Sequence, residues 1–248
     1  MTSNKAYLFG IHAVQSVLQN QPERVMRLLI AEGRRDEKMG LLEKIAKENN
    51  IAIEMLPRHE LDHLAQGANH QGIIACCAKA RVYTENDLPV LLADLQGPPF
   101  ILILDGVQDP QNLGACFRSA DAAGVHLIIA PKDKAVGLTP AVSKVASGAA
   151  ETLPFVQVTN LVRTMEMLKE KGIWIYGAAG EAEKTVFQTD LKGSLALVLG
   201  AEGIGLRRLT RDHCDGLAKI PMYGNVTSLN VSVATGIFLF EAVRQRIK

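Results

Sequence analysis

The sequence predicts an α/β protein in two parts, a small N-terminal α/β unit followed by a larger domain built on a parallel sheet. Three observations predict it. From Phe100 onward, near-continuous apolar runs alternate with helical patterns, as strands buried on both faces and their crossover helices do. Before residue 80 the same alternation occurs on a smaller scale. Between the two, residues 81–98 set Asn86, Asp87, Pro89, Gly97 and Pro98 around one short apolar segment, the punctuation of a linker. The expected division is residues 1–80, a linker at 81–98, and a second domain over 99–248.

Taken in order, Ile11, Val14, Val17 and Leu18 recur at helical spacing, and VMRLLIA from Val25 to Ala31 reads as a strand. Leu41 to Asn49 has an amphipathic period, IAIEML follows as a second strand, and Glu60 to Ala65 is helix-like. HQGIIACCAKA holds an apolar run after Gly72 that ends this unit as a strand. In the second part FILILDG, HLIIAP, TLPFVQV, IWIYGAAG, SLALVLGAE and AKIPM are the expected strands. Helices are expected over 112–123, near 140–147 and over LVRTMEMLKEK. The last segment, Asn230 to Lys248, is apolar on most sides, so its helix is expected to be buried nearly all round, in the core or at a subunit interface. Its apolar run falls short of the ~18 residues a bilayer span needs.

Composition excludes several classes. A net charge of +1 means that any phosphate-binding surface must be a local patch. The basic residues Arg24, Arg27, Arg34, Arg35 and Lys38 are the candidates in the first unit, against the alternative of a solvated face. The cysteines Cys76, Cys77, Cys116 and Cys214 form no CxxC pair and no zinc-spaced group with histidine, so reduced thiols and no metal are expected. The N-terminus develops no signal-type apolar stretch, which points to a cytoplasmic protein without secretion or membrane span.

Three stretches carry chemistry. In LDGVQDPQNLGACFRSADAAGV, residues 104–125, a strand ends at Asp105, Asp109 and Pro110 supply cap and first turn, and Gly124 supplies a stop. That puts a helix N-terminus at a strand's carboxyl end, where α/β sheets bind ligands and the helix dipole favours an anion. On spacing alone Arg118 is a surface residue that can pair with Asp121 at i+3, and Asn112 a capping residue. In LALVLGAEGIGLRR, residues 195–208, an apolar strand runs into a glycine-rich loop that allows close backbone approach to a cofactor. A dinucleotide loop is disfavoured, because Arg208 stands where the third glycine belongs and no acidic residue ends a following strand. Glu202 in this loop caps a helix or orients a substrate or an arginine. In IPMYGNVTSLNVSVATG, residues 220–236, a short strand is expected to end at a Gly224, Asn225 turn, with Ser228 fitting an N-cap and Asn230 beside it.

Together these stretches resemble the three motifs of the SpoU (TrmH) family of RNA ribose methyltransferases, within the SPOUT superfamily: NLGACFRSADAAGV the first, LVLGAEGIGL the second, and IPMYGNVTSLNVSVATGIFLFE the third. FGIHAV and HQGIIA extend the likeness to the whole chain, toward the members that act on a guanosine of 23S ribosomal RNA in its peptidyl-transferase region. The resemblance implies a C-terminal domain threaded as a trefoil knot and a homodimeric active site. It also implies an N-terminal ribosomal-protein-like RNA-binding domain. The methyl donor it implies is S-adenosyl-L-methionine, and the partner 23S rRNA or its assembling large-subunit particle. It assigns the reaction to Arg118 with Asn112, Glu202, Ser228 and Asn230 around it. Gly200, Ile220 and Leu229 match its cofactor positions, with Leu199 and Met222 as apolar walls. A free guanidine is scarce at neutral pH, so a charged Arg118 that stabilises the developing alkoxide is preferred over a general base. Methylation of a tRNA or of another rRNA nucleotide, and RNA binding without catalysis, stay open as alternatives.

Overall fold

The computed structural model describes residues 5–34, 36–78 and 81–247, so Arg35 lies outside the described residues. In chain order the first elements are β1 (Lys5–Phe9), α1 (Ile11–Asn20), β2 (Val25–Ala31), α2 (Glu37–Glu48), β3 (Ala52–Leu56), α3 (Arg58–Ala65), β4 (Ile73–Ala78), β5 (Val82–Thr84) and α4 (Leu88–Ala93). Next come β6 (Phe100–Asp105), α5 (Pro110–Ala122), β7 (Leu127–Pro131), α6 (Pro140–Ala146), α7 (Ala149–Thr152), β8 (Phe155–Val158) and α8 (Leu161–Glu170). The chain closes with β9 (Trp174–Ala178), β10 (Leu195–Gly200), α9 (Arg208–Asp212), β11 (Gly216–Ala218) and α10 (Val231–Arg246). Two compact units result: Met1–Arg81 with Leu138–Thr152, and Val82–Gly137 with Leu153–Lys248.

The first unit holds a four-stranded sheet in the order β1-β4-β2-β3, with β4 antiparallel to both its neighbours and β3 parallel to β2. Strand periodicity sorts its side chains. Leu28 and Ile30 join Val14, Val17 and Leu42 on one face, while Leu29 and Ala31 join Leu61 and Ile74 on the other. Asp36 caps α2 by accepting the Met39 N–H. The two helices α6 and α7, far along the chain, belong to this unit, and a buried ion pair fastens them. Arg24 donates to Glu151 at 2.6 Å with side-chain exposures of 13% and 2%, and also to the Ala78 carbonyl at 3.1 Å. This corrects the expectation for Arg24, whose guanidinium is spent inside the unit. On the surface, Arg27 pairs with Glu54 and Arg34 with Asp36, while Lys38 is exposed.

The second unit is a seven-stranded sheet in the order β11-β9-β10-β6-β7-β8-β5, parallel throughout. The apolar strand runs of the sequence are buried on both faces, with Ile101, Ile103, Ile129 and Val198 under α8 and Phe117 packed edgewise on Phe155 at 5.4 Å. Residues expected as linker take part in it. Val82–Thr84 pairs with Phe155–Gln157, and Leu88 of α4 is fully buried. From β6 the chain steps outward through β7 to β8, then returns to build β9, β10 and β11 on the other side. The neighbours β6 and β10 therefore flank the switch point where open α/β sheets hold their ligands.

One expectation fails here. AKIPM is not a strand to its end: β11 stops at Ala218, Lys219 bridges to Thr185, and Pro221 has no N–H to continue a ladder. Residues 220–230 then run without helix or strand. A single chain does not bury α10 all round, which leaves the expected burial to a subunit interface. It packs on α5, where Thr235 shares a hydrogen bond with Cys116, and buries Phe238, Leu239 and Ala242, but Val233 and Phe240 stay 50% and 49% exposed. With Ile237 between them they form one stripe at helical spacing.

Candidate functional site

A cleft of about 840 Å³ opens over the carboxyl ends of β9, β10 and β11, walled on its open side by the irregular segment 220–230. Its shape starts at Gly200. A Cβ there would sit 2.0 Å from the Gly205 carbonyl carbon and 2.4 Å from the Leu206 nitrogen, so the loop can fold flat against the strand end only because residue 200 has no side chain. The Gly205 N–H closes the turn on the Ala201 carbonyl at 2.8 Å, with Gly203 and Gly205 at φ 78° and 71°. Leu199 and Gly200 of β10, and Ile220, Met222 and Leu229 of the facing segment, all line the cleft, as do Glu202 and Ser228. Glu181, Glu202, Arg211 and Lys219 are the charged residues of its lining.

Behind the cleft, a chain of side-chain hydrogen bonds joins the three motif stretches. Asn230 donates Nδ2–H to Asn112 Oδ1 at 2.9 Å, and Asn112 donates Nδ2–H to Glu202 Oε2 at 3.2 Å. A carboxylate can only accept, which fixes the Asn112 amide and leaves its oxygen for Asn230. The Asn230 oxygen in turn caps α10, accepting the Ser232 N–H at 2.9 Å and hydroxyl at 2.6 Å. Asn230 is thus the cap expected of Ser228, which is exposed in the cleft wall instead. Neither Asn112 nor Glu202 caps a helix; Asp109 caps α5 by accepting the Gln111 N–H. Arg118 stands exposed on α5, outside the lining of the cleft, and no hydrogen bond or ion pair engages it among the described residues.

Two residues here escaped the sequence reading, Asp105 and Arg207. The Asp105 side chain ends β6 with 0% exposure, accepts the Arg207 N–H at 2.9 Å and faces its Nε at 3.4 Å. Only an acidic residue closing an apolar strand signalled it. The nearby cysteines offer no thiolate. Burial pushes Cys214 up to about 12 and Cys116 to about 11, the latter sharing a hydrogen bond with Thr235. Among the described residues no group of His, Cys, Asp and Glu can hold a metal ion, and no helix is long and apolar enough to cross a membrane.

Comparison with known proteins places this geometry. The profile of the SpoU rRNA Methylase family matches residues 99–240, and that of the RNA 2'-O ribose methyltransferase substrate binding domain matches residues 7–83. The 23S rRNA (guanosine-2'-O-)-methyltransferase RlmB of Escherichia coli is 57% identical over 96% of this chain and 98% of its own. The same enzyme of Shewanella oneidensis is 58% identical over 96% and 97%. Among solved structures, the SpoU methyltransferase AviRb of Streptomyces viridochromogenes in complex with AdoMet superposes with a TM-score of 0.78 at 23% identity, covering 98% of this chain and 91% of that one. At that identity the likeness establishes the fold.

Proposed function

The chain belongs to the SpoU rRNA methylase family, and from that premise we propose that it transfers a methyl group from S-adenosylmethionine to the ribose 2′-hydroxyl of a guanosine in 23S rRNA. The observation that carries the chemistry is the hydrogen-bond chain that ties all three motif stretches together behind a cleft lined by the second and third. The substrate rests on identity above half with enzymes named for that reaction.

The residues present fit the donor. Leu199, Ile220, Met222 and Leu229 form apolar walls for an adenosine, and the flat loop at Gly200 lets backbone groups reach it. When bound, S-adenosylmethionine supplies an electrophilic methyl on a sulfonium. Everything else is positioning by the chain. Glu202, Asn112 and Asn230 hold the glycine loop, the start of α5 and the start of α10 in one register. Arg118, uncommitted and exposed, offers its charged guanidinium to an RNA phosphate and to the 2′-oxygen as its proton is lost. Ser228, in the cleft wall, is placed to contact the entering ribose.

The fuller architecture of the proposal is a knotted C-terminal domain, a homodimer closed in part by the stripe Val233, Ile237, Phe240, and an RNA-recognising unit over residues 7–83. The reading includes a cytoplasmic location, which suits a protein that acts on rRNA. The test is transfer of tritium from methyl-labelled S-adenosylmethionine to a 23S rRNA transcript by the purified protein. Label in 2′-O-methylguanosine supports the reading, and label in a methylated base or in no nucleoside overturns it.

A further inference from the structure

The cleft loop is held at two places, and only one of them belongs to the family motifs. It leaves β10 at Gly200, which lies opposite Asp105 in the parallel pairing of β10 with β6. Seven residues later it returns to that same carboxylate. One Asp105 oxygen accepts the Arg207 N–H at 2.9 Å, and the other faces the Arg207 Nε at 3.4 Å while making no hydrogen bond among the described residues. A fully buried carboxylate with so few donors is costly unless its cation stays in place. The neighbouring residue makes room for that cation: a Cβ on Gly106, at φ 84°, would meet the Arg207 Nη2 at 2.9 Å. Asp105, Gly106 and Arg207 thus form one clamp that pins the far end of the glycine loop to the strand from which α5 departs.

We infer that Asp105 is a positioning residue for the methyl-donor cleft, acting through Arg207 to fix the loop 201–206 between the donor's walls and the helix that bears Asn112 and Arg118. It touches no reacting atom. With the clamp open, the loop still leaves β10 at Gly200, but nothing fixes where Glu202 meets Asn112. Binding of the donor then has to order a segment that is ordered beforehand in the intact protein. The inference rests on the function proposed above, yet the clamp itself is measurable without any ligand.

The experiment uses the full-length protein and two variants, Asp105→Asn and Arg207→Gln. Arg207→Gln keeps the backbone bond but leaves the buried Asp105 charge without its cation, whereas Asp105→Asn removes that charge, so the two variants carry opposite risks to folding and the double variant, with neither charge, keeps the test readable. Amide hydrogen exchange of the ligand-free proteins is read across residues 201–207, with β6 and β10 as internal references. Exchange in the loop is expected to rise about tenfold or more in both variants, and to stay unchanged in the reference strands. Calorimetry with S-adenosylmethionine then shows affinity weakened about tenfold or more, the double variant being no worse than Asp105→Asn alone. The KM for rRNA stays at the wild-type value. Unchanged exchange in Arg207→Gln overturns the clamp. Faster exchange with wild-type donor affinity overturns the positioning role. Faster exchange in a protein whose wild type binds no S-adenosylmethionine keeps the clamp and overturns the proposed function.

Discussion

A methyl group is the smallest side chain that Gly200 could gain, and there is no room for it. The neighbouring atoms are backbone, at 2.0 to 2.4 Å from a Cβ, so relief requires the whole loop to lift. Gly200→Ala should therefore abolish S-adenosylmethionine binding in calorimetry and cost about 2 kcal/mol of unfolding free energy, as overpacking does. Retained donor affinity would contradict the loop geometry. Arg118→Ala makes the complementary prediction. Turnover should fall about 10² to 10³-fold, as when a single donor to a developing oxyanion is removed, while donor affinity stays within a few fold. The motif residues Asn112, Glu202, Ser228 and Asn230 were legible through their resemblance, but not their partners. Asp105 was not legible as a site residue, because its meaning lies in a cross-strand register with Gly200 that a single sequence does not display.

Among elements, long apolar strands and amphipathic helices were read to within a few residues, since burial on both faces leaves the strongest pattern. β1, β5 and α4 were missed for the opposite reason: three to six residues carry too little periodicity, and the two strands form on edges supplied by β4 and β8. The join of β6 to β7 makes a prediction about pH. His126 Nδ1 accepts the Phe100 N–H at 2.9 Å, which requires an unprotonated nitrogen. Burial, aided by the Arg246 cation, holds His126 below the ordinary histidine range. A depressed value in the folded state means that its stabilisation is complete above the unfolded value of about 6.5 and is lost as pH falls from there through the lower folded-state value. The urea midpoint should drop between pH 7.5 and pH 5.5, and His126→Gln should flatten that part of the profile. An identical slope in the variant would assign the drop elsewhere.

At the scale of the whole molecule, the division of the chain is not the one its punctuation suggested. Residues 138–152 fold with the N-terminal unit, so the chain passes between the units three times, at 81/82, 137/138 and 152/153. Proline and glycine mark turns but not which side a segment packs on, and the Arg24–Glu151 pair spans 127 residues of sequence. Arg24→Met in the intact chain leaves the buried Glu151 carboxylate uncompensated and should destabilise the first unit by about 3 to 5 kcal/mol. Adding Glu151→Leu should return most of it in a denaturant titration, and failure to recover would show that the pair does not bind the two segments.

Nucleoside mass spectrometry of 23S rRNA tests the proposed reaction on its natural substrate. RNA is taken from cells with the gene, without it, and with the Arg118→Ala form restored. One 2′-O-methylguanosine should be present only with the intact gene. An unchanged set of 2′-O-methyl nucleosides across the three strains would contradict it.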